Sequence, residues 1–138
     1  MASHLSLFFS FHLLAYFYRL MEIYKDFSFD SAHFLPHVPE GHKCRNMHGH
    51  TYKLRVVVKG KPDPQLGWLM DFKELKDVIG PIIDQLDHKL INDIDGLQNP
   101  TAENITIWIW NKIQPLLLNL SRVELYETPT TGVIYSGE

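Results

Sequence analysis

Two histidines one residue apart, His48 and His50, follow closely on Cys44, the only cysteine of the chain. Imidazole is the commonest metal-ligating side chain, and residues i and i+2 of a strand point to the same face. Their Cα atoms then lie roughly 6–7 Å apart, a span two imidazoles close around one Zn²⁺ at about 2.1 Å per bond. A third histidine, His33, ends the apolar row of an earlier alternating segment, so an antiparallel neighbour brings it to the same place. Three imidazoles leave the fourth zinc position open, as catalytic sites do. The plainer alternative is that these histidines are polar caps on strand ends. His37 and His42 rank lower as ligands, because their Pro- and Gly-containing loop offers no common face.

Cys44 has three readings. It is a fourth ligand closing a structural site, a thiolate acting as base or nucleophile beside Lys43 and the metal, or an inert buried thiol. Asp87 precedes His88, but neighbouring helical residues do not face each other, so this pair needs a turn to act together. Glu127 shares the parity of Val123 and Leu125, which points its carboxylate inward and requires a partner for it there. Glu124, on the other parity, is expected to be solvated.

The elements that must position these groups follow from periodicity. Residues 22–34 alternate, with Ile23, Phe27, Phe29, Ser31 and His33 on one face. Residues 48–59 alternate again, with His48, His50, Tyr52, Leu54, Val56 and Val58 in one row. Asp71 has the form of a helix cap, and Phe72, Leu75, Ile79, Ile82, Ile83 and Leu86 recur at helical spacing, interrupted by Gly80-Pro81. Pro100 and Thr101 open a second helix with the stripe Ile105, Trp108, Ile109, Ile113 and Leu116, its last turns weakened by Pro115. The tryptophans read as core rather than as a cofactor platform. Val123–Glu127 and Thr131–Gly137 read as two strands joined by a turn. The order ββααββ predicts an α+β fold, an antiparallel sheet with two helices on one face.

The chain of 138 residues, 45% hydrophobic and 21% charged, suits one globular domain. A net charge of −3 argues against a broad nucleic-acid surface, and one cysteine excludes an intramolecular disulfide and suits a reducing cytoplasm. Residues 1–20 form an apolar extension that lacks a basic start and a small-x-small cleavage site, and is short for a membrane span. The expected reading is an upstream extension outside the native domain, as a misassigned start codon would give, with 21–138 as the single domain. A membrane or partner anchor is its alternative.

Phe29-Asp30-Ser31-Ala32-His33, Leu35-Pro36-His37 through Cys44, His48-Gly49-His50, Leu86-Asp87-His88, Asn99-Pro100-Thr101, Tyr126-Glu127-Thr128 and the ending Tyr135-Ser136-Gly137-Glu138 together resemble the 6-pyruvoyl-tetrahydropterin synthase superfamily. The Cys-x₃-His-Gly-His spacing is similar to its 6-carboxy-5,6,7,8-tetrahydropterin synthase branch; pyruvoyl synthases carry a longer gap. The resemblance implies the tunnelling fold and homo-oligomers, trimers or stacked hexamers, with sites at subunit interfaces. It implies zinc on His33, His48 and His50, Cys44 as proton acceptor, Asp87 and His88 as relay, and Glu127 as pterin anchor and proton-transfer group, with Thr128 and Thr101 in substrate binding. The substrate implied is 7,8-dihydroneopterin triphosphate, with Lys43 and Arg45 as candidates for its phosphates, and no nucleic acid or membrane partner. Two alternatives stand beside this: a pyruvoyl- or sepiapterin-type relative, and a non-catalytic zinc- or pterin-binding module in which Cys44 is a ligand.

Overall fold

Alternation makes the first half of the chain into two long strands, and complementary apolar rows join them. In the computed structural model, which describes residues 20–138, β1 spans Met21–His33 and β2 spans His48–Gly60. They pair antiparallel over their full length, from Met21 opposite Gly60 to His33 opposite His48. Helices α1 (Phe72–Ile83) and α2 (Ala102–Ile113) follow, then β3 (Leu120–Thr128) and β4 (Thr131–Tyr135). The sheet has four antiparallel strands in the order β1-β2-β3-β4, so the expected ββααββ arrangement holds. The expectation for residues 1–20 lies outside the described residues, apart from Leu20. Among the described residues no helix is long and apolar enough to cross a membrane.

Local chemistry sets the helix ends. The Asp71 carboxylate accepts from Lys73 N at 2.8 Å, and the Thr101 hydroxyl accepts from Asn104 N at 3.2 Å, satisfying first-turn donors that lack helical partners. Pro81 lies inside α1, where its missing N–H costs one ladder bond, and the helix stops two residues later at Ile83. Helix α2 ends at Ile113, before Pro115. Leu116 and Phe72, expected on the apolar stripes, are instead exposed: Phe72 is the first residue of α1, and Leu116 lies past the end of α2.

Phe29, Tyr52, Leu54, Val56, Val58, Val123 and Leu125 on one sheet face enclose the core with Leu75, Ile79, Ile105, Ile109 and Ile113 from the helices. Trp108 and Trp110 are half-buried against this cluster, whereas Trp68 is exposed. Ile109 is fully buried, and Ile109→Ala is expected to destabilise the chain by about 2–5 kcal/mol, read by denaturant unfolding. A value under ~1 kcal/mol would mean that α2 is not packed as described.

One expectation fails on the opposite face. Glu124 is buried, at 6% exposure, not solvated. Arg122 and Tyr126, two residues to either side, lie over it, and both bond its carboxylate at 2.8 Å. Those donors hold its pKa below the ordinary carboxylate value despite the opposing effect of burial.

Candidate active site

Strand register carries the three histidines together. His33 faces His48 across the β1–β2 ladder, and His50 lies opposite Ser31. Ligand nitrogens of His33, His48 and His50 all lie within 4.8 Å of one another. Gly49, between the two β2 histidines, permits the close approach of the strands, since a Cβ there would sit 3.2 Å from the Ser31 carbonyl.

Backbone carbonyls fix the rings. His33 Nδ1 lies 2.8 Å from the Pro100 carbonyl and His48 Nδ1 lies 2.8 Å from the Asn46 carbonyl. A carbonyl only accepts, so each Nδ1 carries the proton and each Nε2 presents a lone pair. These two Nε2 atoms are 3.1 Å apart. Facing lone pairs repel unless a cation stands between them, and tetrahedral zinc with bonds of about 2.0–2.1 Å needs nitrogens about 3.3 Å apart. The His33–His48 pair therefore fits a tetrahedral ion such as zinc, with backbone groups holding both rings as outer-shell partners of metal-bound histidines do, and His50 offers a third nitrogen within 4.8 Å. His33 is 2% exposed, and burial, the largest influence on it, pushes its pKa down and keeps the ring neutral.

A cavity of about 420 Å³ opens on this cluster, lined also by Leu35, Lys43, Cys44, Glu127 and Thr128. Cys44 sits half-buried in a single 3₁₀ turn, Lys43–Arg45; its carbonyl accepts from Leu35 N at 2.8 Å and its N–H donates to His42 Nδ1 at 3.2 Å. His42 is thus occupied with the turn, and neither it nor His37 joins the histidine cluster. Glu127 Oε1 is 3.9 Å from His33 Nε2, so the inward parity expected of this carboxylate leads into the cavity. Glu127 also lines a neighbouring cleft of about 280 Å³ with Leu35, Thr101 and Glu103. Arg45 donates to the Val38 carbonyl at 3.2 Å and is absent from the cavity wall, where Lys43 lies.

Asp87 and His88 do act as a pair, through the turn that their adjacency requires. His88 takes a left-handed φ of 55°, uncommon for a residue other than glycine, and its Nδ1 reaches Asp87 Oδ2 at 2.9 Å. Asp30 of β1 clamps both: its N–H donates to Asp87 Oδ1 at 2.9 Å and its carbonyl accepts from His88 N at 2.7 Å. The Asp30 N–H is the leading reason that the Asp87 pKa lies below the ordinary carboxylate value. Within one chain the dyad does not share the Cys44 cavity. His88 lines a separate cavity of about 590 Å³ with Asp30, Thr51 and Lys89, and His50 borders both.

The sequence profile of the 6-pyruvoyl tetrahydropterin synthase family matches residues 22–138. The chain belongs to this family. A relative from Synechocystis named 6-carboxy-5,6,7,8-tetrahydropterin synthase is 42% identical over 82% of this chain and 91% of its own. A 6-pyruvoyl tetrahydrobiopterin synthase from Dictyostelium discoideum is 41% identical over 70% of this chain and 75% of its own. The structure of the Caenorhabditis elegans 6-pyruvoyl tetrahydropterin synthase superposes with a TM-score of 0.81 at 26% identity, covering 87% of this chain and 97% of that one. Family membership and the α+β tunnelling fold therefore stand on sequence and architecture together. Within the family, the carbonyls of Asn46 and Pro100 are parts of this site that sequence reading misses. A backbone acceptor leaves no residue-type signature, and only the fold places it.

Proposed function

We propose that the protein is a zinc-dependent carbon–carbon lyase that converts 7,8-dihydroneopterin triphosphate to 6-carboxy-5,6,7,8-tetrahydropterin, acetaldehyde and triphosphate. This reaction would lie in the cytoplasm, on the route to 7-deazaguanine and queuosine. The observation that carries the reading is one cavity lined at once by the three-histidine cluster, the Cys44 thiol and the Glu127 carboxylate. The three-residue gap between Cys44 and His48 favours the carboxy-forming branch over the pyruvoyl one. So do relatives bearing that name at 42% and 34% identity.

Zinc, when bound, would polarise the side-chain hydroxyls of the substrate and lower the cost of negative charge beside them. His33, His48 and His50 would hold it through Nε2 atoms or their equivalents, with Pro100 and Asn46 fixing two of the rings. Cys44 Sγ takes the carbon-bound proton. Asp87 holds the Nδ1 proton of His88, which leaves His88 Nε2 to pass protons. Glu127 offers two acceptor oxygens to the paired N–H donors of the pterin ring, with Thr128 beside it and Thr101 in the adjoining cleft. Because the dyad and Cys44 occupy separate cavities in one chain, the reading sets the dyad of one copy against the cysteine cavity of the next, in a trimer or stacked hexamer. Sedimentation should then give a mass that is a multiple of three chains.

Incubation with dihydroneopterin triphosphate and identification of the pterin product tests the assignment. A 6-carboxy product is expected; a pyruvoyl or sepiapterin-type product would reassign the chain within its family, and no turnover would favour a binding module. Glu127→Gln replaces one acceptor with a donor facing the ring's own donors. It is expected to raise KM by about 10- to 100-fold, the worth of one hydrogen bond to a charged group. An unchanged KM would remove Glu127 from ring recognition.

A further inference from the structure

We propose that Asn92 is a positioning residue of the histidine cluster, tying the strand exit after His33 to the loop that delivers the carbonyl for His33 Nδ1. Asn92 lies in a single 3₁₀ turn, Ile91–Asp93, that runs beside the end of β1. Its Oδ1 accepts from Phe34 N at 3.0 Å and its Nδ2 donates to the Phe34 carbonyl at 2.9 Å. One side chain thereby satisfies both backbone groups of the residue that follows His33, as a neighbouring strand would do. The same Nδ2 also lies 3.3 Å from the Gln98 carbonyl. Two residues on, the Pro100 carbonyl accepts from His33 Nδ1 at 2.8 Å.

The consequence follows from the order of these bonds. Which nitrogen of His33 presents a lone pair to the cavity is set at Nδ1, where the Pro100 carbonyl accepts at 2.8 Å and the Tyr52 hydroxyl lies 3.3 Å away. The Asn99 carbonyl, held by Asn104 Nδ2 at 2.8 Å, ties the 98–100 loop to α2, and the place of that loop relative to the His33 ring depends further on its tie to the β1 exit. The amide of Asn92 joins those two pieces directly, as the Phe34 and Gln98 bonds show. Neighbouring anchors do not duplicate it: the Ala32 N bond to the Lys89 carbonyl, at 3.0 Å, holds β1 before His33, and the Leu35 N bond to Cys44 holds the opposite side.

The test has two arms on the full chain. In the metal-free protein, long-range ¹H–¹⁵N correlation is expected to show His33 as the Nδ1–H tautomer, and Asn92→Ala to mix in the Nε2–H form. In a Co²⁺ titration followed by visible absorption, Asn92→Ala is expected to bind about tenfold more weakly, as loss of outer-shell support does. Asn92→Ala should fold, since buried Ile91 and the backbone bonds of the turn remain. Asn92→Asp keeps the acceptor for Phe34 N but loses both Nδ2 bonds, to the Phe34 and Gln98 carbonyls, and sets a carboxylate oxygen against them, so it is expected to shift tautomer and Co²⁺ affinity at least as far as Ala; it carries the test if the Ala variant does not fold. A wild-type tautomer and wild-type Co²⁺ affinity in both variants would overturn the role and leave only packing. The Co²⁺ arm rests on the zinc reading above; the tautomer arm does not. If the wild-type chain takes up no Co²⁺, the zinc reading fails, and the tautomer measurement still decides on Asn92.

Discussion

Cys44→Ala is expected to lower turnover by about 10²- to 10⁴-fold, the usual contribution of a positioned general base, while zinc content and melting temperature stay at wild-type values. The expectation follows from where the thiol stands. It lines the cavity with the histidines, but it is not among the ligand atoms that converge on one point, which come from His33, His48 and His50. Its structural ties run through the backbone, to Leu35 N and His42 Nδ1, and alanine preserves both. The side chain is half-buried and small, so its loss opens little volume. Metal analysis, thermal melting and single-turnover kinetics on one preparation separate the readings. If metal and melting temperature fall together with activity, Cys44 is a fourth ligand and the site is a closed structural one. If turnover survives, the thiol is a bystander.

What could be read from the sequence was whatever obeys a period. Residues of one strand parity share a face, so parity alone puts His33, His48 and His50 at one end of one sheet, and the register of His33 opposite His48 completes the arrangement. The same rule misjudged Glu124, because parity assigns a face but not what covers it. On the helix-free face, Arg122 and Tyr126 cover that carboxylate. Periodicity also extends the helical stripes to Phe72 and Leu116, which are exposed at the first residue of α1 and past the end of α2. The Asp87–His88 contact needed a backbone conformation, the left-handed φ at His88, that no spacing rule requires of histidine. Hardest to read were the orienting groups, the carbonyls of Pro100 and Asn46 and the amide of Asn92. They act through backbone positions fixed only by long-range folding, 67 residues apart in sequence for His33 and Pro100.

Removing the metal should have the other large effect, and the geometry states its form. Without a cation, the Nε2 lone pairs of His33 and His48 oppose each other at 3.1 Å at a partly buried position. Zinc would relieve that repulsion and would bind the folded chain preferentially, since the three candidate ligands come from two strands that only the fold brings together. At free zinc about a thousandfold above its dissociation constant, the gain is about 4 kcal/mol. Chelation is therefore expected to lower the melting temperature and to abolish turnover, and stoichiometric zinc to restore both. Two substitutions divide the effect. His50→Ala removes a ligand bordering open cavity, so activity and metal should go while the metal-free melting temperature changes little. His33→Ala removes a buried ring and leaves the Pro100 carbonyl without its donor, so it should also destabilise the metal-free chain, by about 1–3 kcal/mol for the unmet bond alone. Turnover that persists in protein stripped of metal would exclude the ion from the reaction. Equal metal-free stability of the two variants would show that the Pro100 bond does not hold the His33 ring in place.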